Sequence, residues 1–231
     1  MSTEVLAVDV GKAVDSVDEW LNSFITQPHE ELGRPGAVCP FVAPARRADA
    51  VETVVRLVGP AAGLLLLKEI IRCGLDEFQQ LAWHTSNPSL RALFILLPDL
   101  QPGAYGLLDE AQAQVKSESV DRGMMIGQFH PTCEEPAARN PAFMVSRSPV
   151  PLVVVRSMAV HDILFLGERG DWFAEYHRRF GERFRRQAKG IDPLLMTHYH
   201  KALALHGPTG PRVDPDPAGP GVPPRARKAA E

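Results

Sequence analysis

An α+β domain, with about four strands in a mixed or antiparallel sheet flanked by helices, is what this sequence predicts. Three observations carry that expectation. Short apolar runs bounded by Gly and Pro recur at Val51, Leu90, Met124 and Leu152, as strands do. Stretches that begin at Val14, Ala61, Asp171 and Pro193 space their apolar residues by three and four, which lines them up on one face of a helix. At 231 residues the chain can bury one sizeable core, so a single domain over residues 1–206 is expected, followed by a tail.

Val14, Val17, Trp20, Leu21 and Phe24 form the first helical stripe, with Asp15 and Ser16 suited to its start. Gln27-Pro28 ends it, and Leu32-Gly33-Arg34-Pro35-Gly36 is a turn-rich loop that delivers Val38-Cys39-Pro40-Phe41. Val51–Val58, VETVVRLV, alternates as a strand, although a short helix also fits; Gly59-Pro60 stops it. The helix from Ala61 to Leu81 turns Leu64, Leu67, Ile70, Ile71, Leu75 and Phe78 inward, with Gly74 costing it about 1 kcal/mol relative to alanine. Leu90–Leu97, LRALFILL, is apolar almost throughout and suits a central strand covered on both faces.

Leu107–Glu118 has helical composition, and Met124–Phe129 is a strand running into His130-Pro131, where proline ends regular pairing. Leu152–Met158 is the fourth strand, and His161-Asp162 opens a short apolar segment, ILFL, closed by Gly167. Asp171–Ala188 is a helix with Asp171 as N-cap and Phe173, Tyr176, Phe180 and Phe184 inward. Pro193–Leu205 is the last, capped by Asp192, with proline in the first turn. In residues 207–231, Pro, Gly and isolated charges leave too little apolar surface to offset chain entropy, and a disordered tail is expected.

Composition narrows the function. A formal net charge of −3 supplies no field that would recruit nucleic acid or an anionic membrane. The basic cluster Arg178, Arg179, Arg183, Arg185, Arg186 and Lys189 belongs to the aromatic-striped helix, whose solvated face should be charged anyway. Cys39, Cys73 and Cys133 form neither a CxxC pair nor a disulfide framework, and nothing before Val10 resembles a signal peptide, so a reduced, cytoplasmic protein is expected. The most apolar run, Leu64–Leu67, meets Lys68, Glu69 and Arg72 long before the ~18 uncharged residues a membrane span needs. Phosphate loops and a nucleophile elbow are absent. His198 and His200, two apart on a helix, point to different faces and make no metal pair.

The remaining candidates collect in loops between strands, where functional groups concentrate. Cys39, followed by Pro40 at the end of a Gly-rich loop, has the setting of a thiolate ligand for haem iron; the plainer reading is a small buried hydrophobe. His130 and His161 stand at strand ends, one fixed by Pro131 and the other beside Asp162, a carboxylate of the kind that orients metal-bound imidazoles. Satisfied local hydrogen bonds would account for either histidine equally well. Arg34, Arg139, Arg147 and Arg156 lie in or beside the same loops, where guanidinium forks bind carboxylates, either a ligand's or those of Glu134 and Glu135.

Over residues 28–160 the order of these features resembles the YqcI/YcgG family of bacterial haem proteins. Cys39 matches the cysteine of that family's Phe-Pro-Cys block, His130-Pro131 its His-Pro, and Ala138-Arg139 with Phe143 its Ala-Arg-Arg-Phe. Here the order is Cys-Pro-Phe, an extra residue separates Gly127 from His130, and Asn140-Pro141 replaces the second arginine. The LGRPGAVCPF and GQFHP blocks are also similar to an actinobacterial family of unknown function. The first resemblance implies a haem-dependent oxygenase that N-hydroxylates a small amine or amino acid in natural-product biosynthesis, drawing on an electron donor. It implies His130 as axial ligand to the haem iron, with Cys39 the alternative. It further implies His161 as a distal proton donor, and Arg34, Arg139 or Arg147 as partners of a haem propionate or a substrate carboxylate. From a different class, a non-enzymatic protein that binds a ligand or partner through the same fold would keep Cys39 and His130 in structural roles.

Overall fold

The computed structural model describes residues 8–186 and 190–207. From residue 208 onward the expected tail lies outside the described residues, as do Ala188 and Lys189 of the basic helix. The first helix, α1 (Val10–Trp20), begins earlier than the stripe implies, because the Asp9 carboxylate accepts the Lys12 N–H at 3.0 Å and so caps it in place of Asp15. It runs on as a π-helical turn, Leu21–Ile25, and a short helix α2 (Val42–Arg47) follows the Gly-rich loop. The chain then enters β1 (Val51–Val55), α3 (Leu64–Gln80), β2 (Ala92–Leu96), α4 (Tyr105–Asp121) and β3 (Met124–Phe129). A small hairpin of β4 (Pro136–Ala137) and β5 (Asn140–Met144) precedes β6 (Leu152–Ser157), and α5 (Ile163–Leu166), α6 (Gly170–Arg186) and α7 (Pro193–His206) complete the order.

The four main strands form one mixed sheet in the order β1-β2-β6-β3, with β1 parallel to β2 and the other pairs antiparallel. The two most apolar strands, β2 and β6, take the centre, since only a strand apolar on both faces can be covered on both. On one face Leu93, Ile95, Val153, Val155, Met124 and Ile126 meet Leu67, Ile71 and Leu75 of α3 and Leu108, Ala111 and Val115 of α4. Gly74 is part of this seam. A Cβ there would lie 2.3 Å from Ile95 Cδ1, so the residue that weakens the isolated helix lets α3 approach β2.

On the other face Phe94, Leu96 and Leu152 pack against Ala13, Val17, Leu21, Ile25 and Val38, placing the N-terminal helix and its loop across the sheet. A separate core joins α5, α6 and α7 around Ile163, Leu166, Phe173, Tyr176, Leu195 and Tyr199. Asp171 lies inside the first turn of α6 and pairs with Arg169 at 2.6 Å, so it is not the N-cap. The basic face of α6 is partly offset within the helix: Arg178 and Arg179 share Glu175, and Arg185 and Arg186 share Glu182. Among the described residues no helix is long and apolar enough to cross a membrane.

Candidate functional site

Side chains alternate between the faces of a strand, and that period separates the two proposed iron ligands. Phe129, the last residue of β3, meets the Trp20 ring under α1 at 5.7 Å between centroids. His130 follows it and turns to the opposite face, where its ring lies 4.9 Å from that of Tyr105 and its Nε2 is 3.0 Å from Asp109 Oδ1, both on α4. Its Nδ1 is 3.3 Å from Thr132 Oγ1, so both ring nitrogens are engaged, and the residue is 2% exposed. The strand end does not aim His130 into a cleft.

An apolar cavity of about 320 Å³ lies between the sheet and the N-terminal segment. Its floor includes Ala92, Phe94, Val154 and Phe129, its roof Trp20, Leu21, Ile25 and the Val38–Val42 loop, and it reaches round the edge strand β3 to Gln112 and Lys116 of α4. That volume is at the lower end of the ~300–1,000 Å³ typical of small-molecule pockets. Lining positions run from Met125 to Phe129 along β3, about 13 Å at ~3.3 Å per residue.

Cys39 lines this cavity. Its loop is held by backbone bonds from Cys39 N to Ile25 O, 2.9 Å, and from Val38 N to Gln27 O, 2.8 Å. Arg34 donates to the carbonyls of Pro35 and Val38, at 3.1 and 2.9 Å, which makes it a staple of the loop. Arg156 also lines the cavity and donates to both oxygens of Asp162, at 2.8 and 2.5 Å. Burial works against the Arg156 charge, yet Asp162 more than offsets it and holds the guanidinium pKa above its ordinary value. Burial pulls the Lys116 pKa down, with the ammonium 4.6 Å from the centre of the Trp172 ring.

Two side-chain nitrogens in the described residues are buried without a hydrogen-bond partner, Trp20 Nε1 and Arg91 Nε, and both residues line this cavity. Both are donors. A buried N–H left unpaired costs roughly 1–3 kcal/mol, which an acceptor on a bound molecule would recover.

The other expected site residues do not converge here. His161 has an exposed edge, packs its ring edge-on against Phe41 at 5.3 Å, and loses its neighbour Asp162 to Arg156; the partial cover of the ring lowers its pKa. Arg139 forms an ion pair with Asp192 at 2.5 Å. Arg147 donates to the Cys133 carbonyl at 3.3 Å and borders a shallower depression with Phe24, Glu31 and Phe143. Trp20 and Arg91 were missed by sequence reasoning, because Trp20 sits in an apolar stripe and Arg91 beside an apolar run, where neither reads as a ligand contact.

Haem, which the resemblance implies, can be tested against these donors. An imidazole ligand does not fit, because His130 is engaged on the far face of the sheet. A thiolate ligand fits by donor type: Cys39 lines the cavity, and Trp20, Arg91 and Arg156 supply N–H groups and charge suited to propionates.

No curated protein and no solved structure matches the chain. A family model does match, over residues 14–190 of the 231, a span that contains every residue named for the cavity and the Asp109–His130 pair. The chain therefore belongs to the family described as a domain of unknown function, DUF6875.

Proposed function

We propose that this protein binds a small organic molecule, apolar along its length and carrying a carboxylate or similar acceptor, in the cavity between the sheet and the N-terminal helix. The observation that carries this is the pair of unpartnered donors, Trp20 Nε1 and Arg91 Nε, in a largely apolar wall. Arg156 is already paired to Asp162, whereas these two N–H groups have no protein partner and the Lys116 ammonium adds a positive charge to the lining. Free Cys39, Cys73 and Cys133 fit a reducing compartment such as the cytoplasm.

The test is a titration with 8-anilinonaphthalene-1-sulfonate, an aromatic molecule with one anionic group. Saturable binding at one site, weakened about tenfold in Arg91→Ala and blocked in Ala138→Trp at the exposed rim, is expected. Binding indifferent to both substitutions would overturn the reading.

A second reading is favoured by Cys39, the one thiol among the lining residues. In it the occupant is haem, which when bound would supply oxygen chemistry toward a small amine substrate, with an external electron donor. Cys39 would hold the iron, Arg91 and Arg156 would face the propionates, and the apolar walls would exclude water. Protein expressed with ample haem precursor should show a Soret band that Cys39→Ser removes and His130→Ala keeps. A spectrum featureless even after haem titration would leave the first reading alone.

A further inference from the structure

We propose that Asp109, His130 and Cys133 form a site for a divalent transition ion of the zinc type, distinct from the cavity. Asp109 Oδ1, one His130 ring nitrogen and Cys133 Sγ all lie within 4.8 Å of one another. Zinc bonds of ~2.0 Å to N and O and ~2.3 Å to S imply ligand separations of roughly 3.3–3.8 Å around a tetrahedral ion. Asp109 Oδ1 and His130 Nε2, 3.0 Å apart, are already near that range, and no pair exceeds it by more than about 1 Å.

The backbone sets the two inner ligands. His130-Pro131-Thr132-Cys133 is a tight turn in which Cys133 N donates to His130 O at 3.1 Å, while Ser148 N donates to the same carbonyl at 3.3 Å. This His-x-x-Cys turn directs both side chains into the interior, where they are 2% and 1% exposed. Asp109 approaches from α4 with its side chain 42% exposed, which leaves a path for an ion to enter.

Outer partners are in place as well. Thr132 Oγ1 lies 3.3 Å from His130 Nδ1, which directs Nε2 to the site, and the Tyr105 ring lies against the imidazole. On binding, the ion takes Nε2 from its contact with Asp109, and the Cys133 S–H releases its proton to solvent as the S–metal bond forms. One carboxylate and one thiolate then neutralise the dication. Three protein ligands leave a fourth position for water, the arrangement of zinc sites that do chemistry.

The experiment is a cobalt(II) titration of the full chain after treatment with a chelator, followed by near-ultraviolet and visible absorption. One equivalent of cobalt should produce a thiolate-to-metal charge-transfer band and tetrahedral visible bands, both abolished by added zinc(II). Cys39→Ser and Cys73→Ser should keep the bands, Cys133→Ser should lose the charge-transfer band, and Asp109→Ala should weaken affinity at least tenfold. The Asp109 variant alters a half-exposed side chain, so it decides the matter even where Cys133→Ser does not fold. No band with cobalt in excess, a band that survives Cys133→Ser, or Asp109→Ala affinity equal to wild type would overturn the site.

Discussion

Arg156 and Asp162, six residues apart, are joined by two charge-assisted hydrogen bonds of 2.8 and 2.5 Å, and the same carboxylate accepts the Ala159 N–H at 2.7 Å. Asp162 is 1% exposed, whereas the Arg156 side chain is 30% exposed and also donates to Ser157 O at 3.1 Å. Removing Asp162 takes two charge-assisted hydrogen bonds from a guanidinium that keeps Ser157 O and some contact with water, so the cost is about 1.5–3 kcal/mol and not that of a fully buried orphan charge. Asp162→Ala is expected to lose about 1.5–3 kcal/mol in equilibrium urea unfolding, read as a lower midpoint at unchanged slope. A loss under about 1 kcal/mol would mean that water reaches Arg156 and replaces the pair.

Gly74→Ala sets two effects against each other. Helix propensity favours alanine by about 1 kcal/mol, but the added Cβ would sit 2.3 Å from Ile95 Cδ1. Overpacking of this kind costs about 1–3 kcal/mol, so net destabilisation is expected. Ile95→Val removes the offending methyl. The double variant should therefore be more stable than Gly74→Ala alone, and simple additivity in the cycle would refute the contact.

Stability should fall as pH drops from about 7 to about 5. Burial lowers the pKa of His177, whose Nδ1 is 2.8 Å from Tyr199 Oη. The unfolded chain takes up this proton near pH ~6.5, while the folded chain holds the ring neutral to a lower pH. Below that value the unfolded state binds more protons, so the contribution is complete above pH ~6.5 and is lost on acidification, by at most about 1.4 kcal/mol per pH unit for one histidine. His161, its pKa lowered by partial cover of an otherwise exposed ring, acts in the same sense but more weakly. Urea midpoints of His177→Gln across this range should fall less steeply than those of wild type.

Asp192 does two jobs and Arg139 one. Asp192 Oδ1 accepts the Leu194 N–H at 2.8 Å, which caps α7, and Oδ2 pairs with Arg139. The capping bond comes first and the arginine second in holding this carboxyl below its ordinary pKa. Asp192→Ala should cost about 1 kcal/mol, as lost caps do, and Arg139→Ala less than about 0.5 kcal/mol, as exposed ion pairs do. Paired thermal melts would check the ranking, and the reverse order would show that the ion pair matters more than the cap.

Much of the fold is legible in the residues. The four strands and the long helices follow from periodicity, with ends that shift by a few residues where a cap such as Asp9 or a proline decides. The β4–β5 hairpin and α2 escape such a reading because they are short and their packing is tertiary. The site was less legible. Cys39, at the end of a Gly-rich loop, and His130, at a strand end, are alternative iron ligands in the sequence, but the alternation of side chains along β3 puts His130 on the face opposite Phe129 and away from Cys39. The His-x-x-Cys spacing of His130 and Cys133 was open to the same inspection; Asp109, contributed by a helix 21 residues earlier, was not.

The strand order has a consequence for the birth of the molecule. β6 lies between β2 and β3 yet is the last of the four strands to be synthesised. Until residues 152–157 leave the ribosome, β2 and β3 each present an unpaired edge on the side that β6 will fill. Nascent chains halted before Leu152 are exposed to strand-to-strand association, and completion of β6 pairs both of those edges in one step.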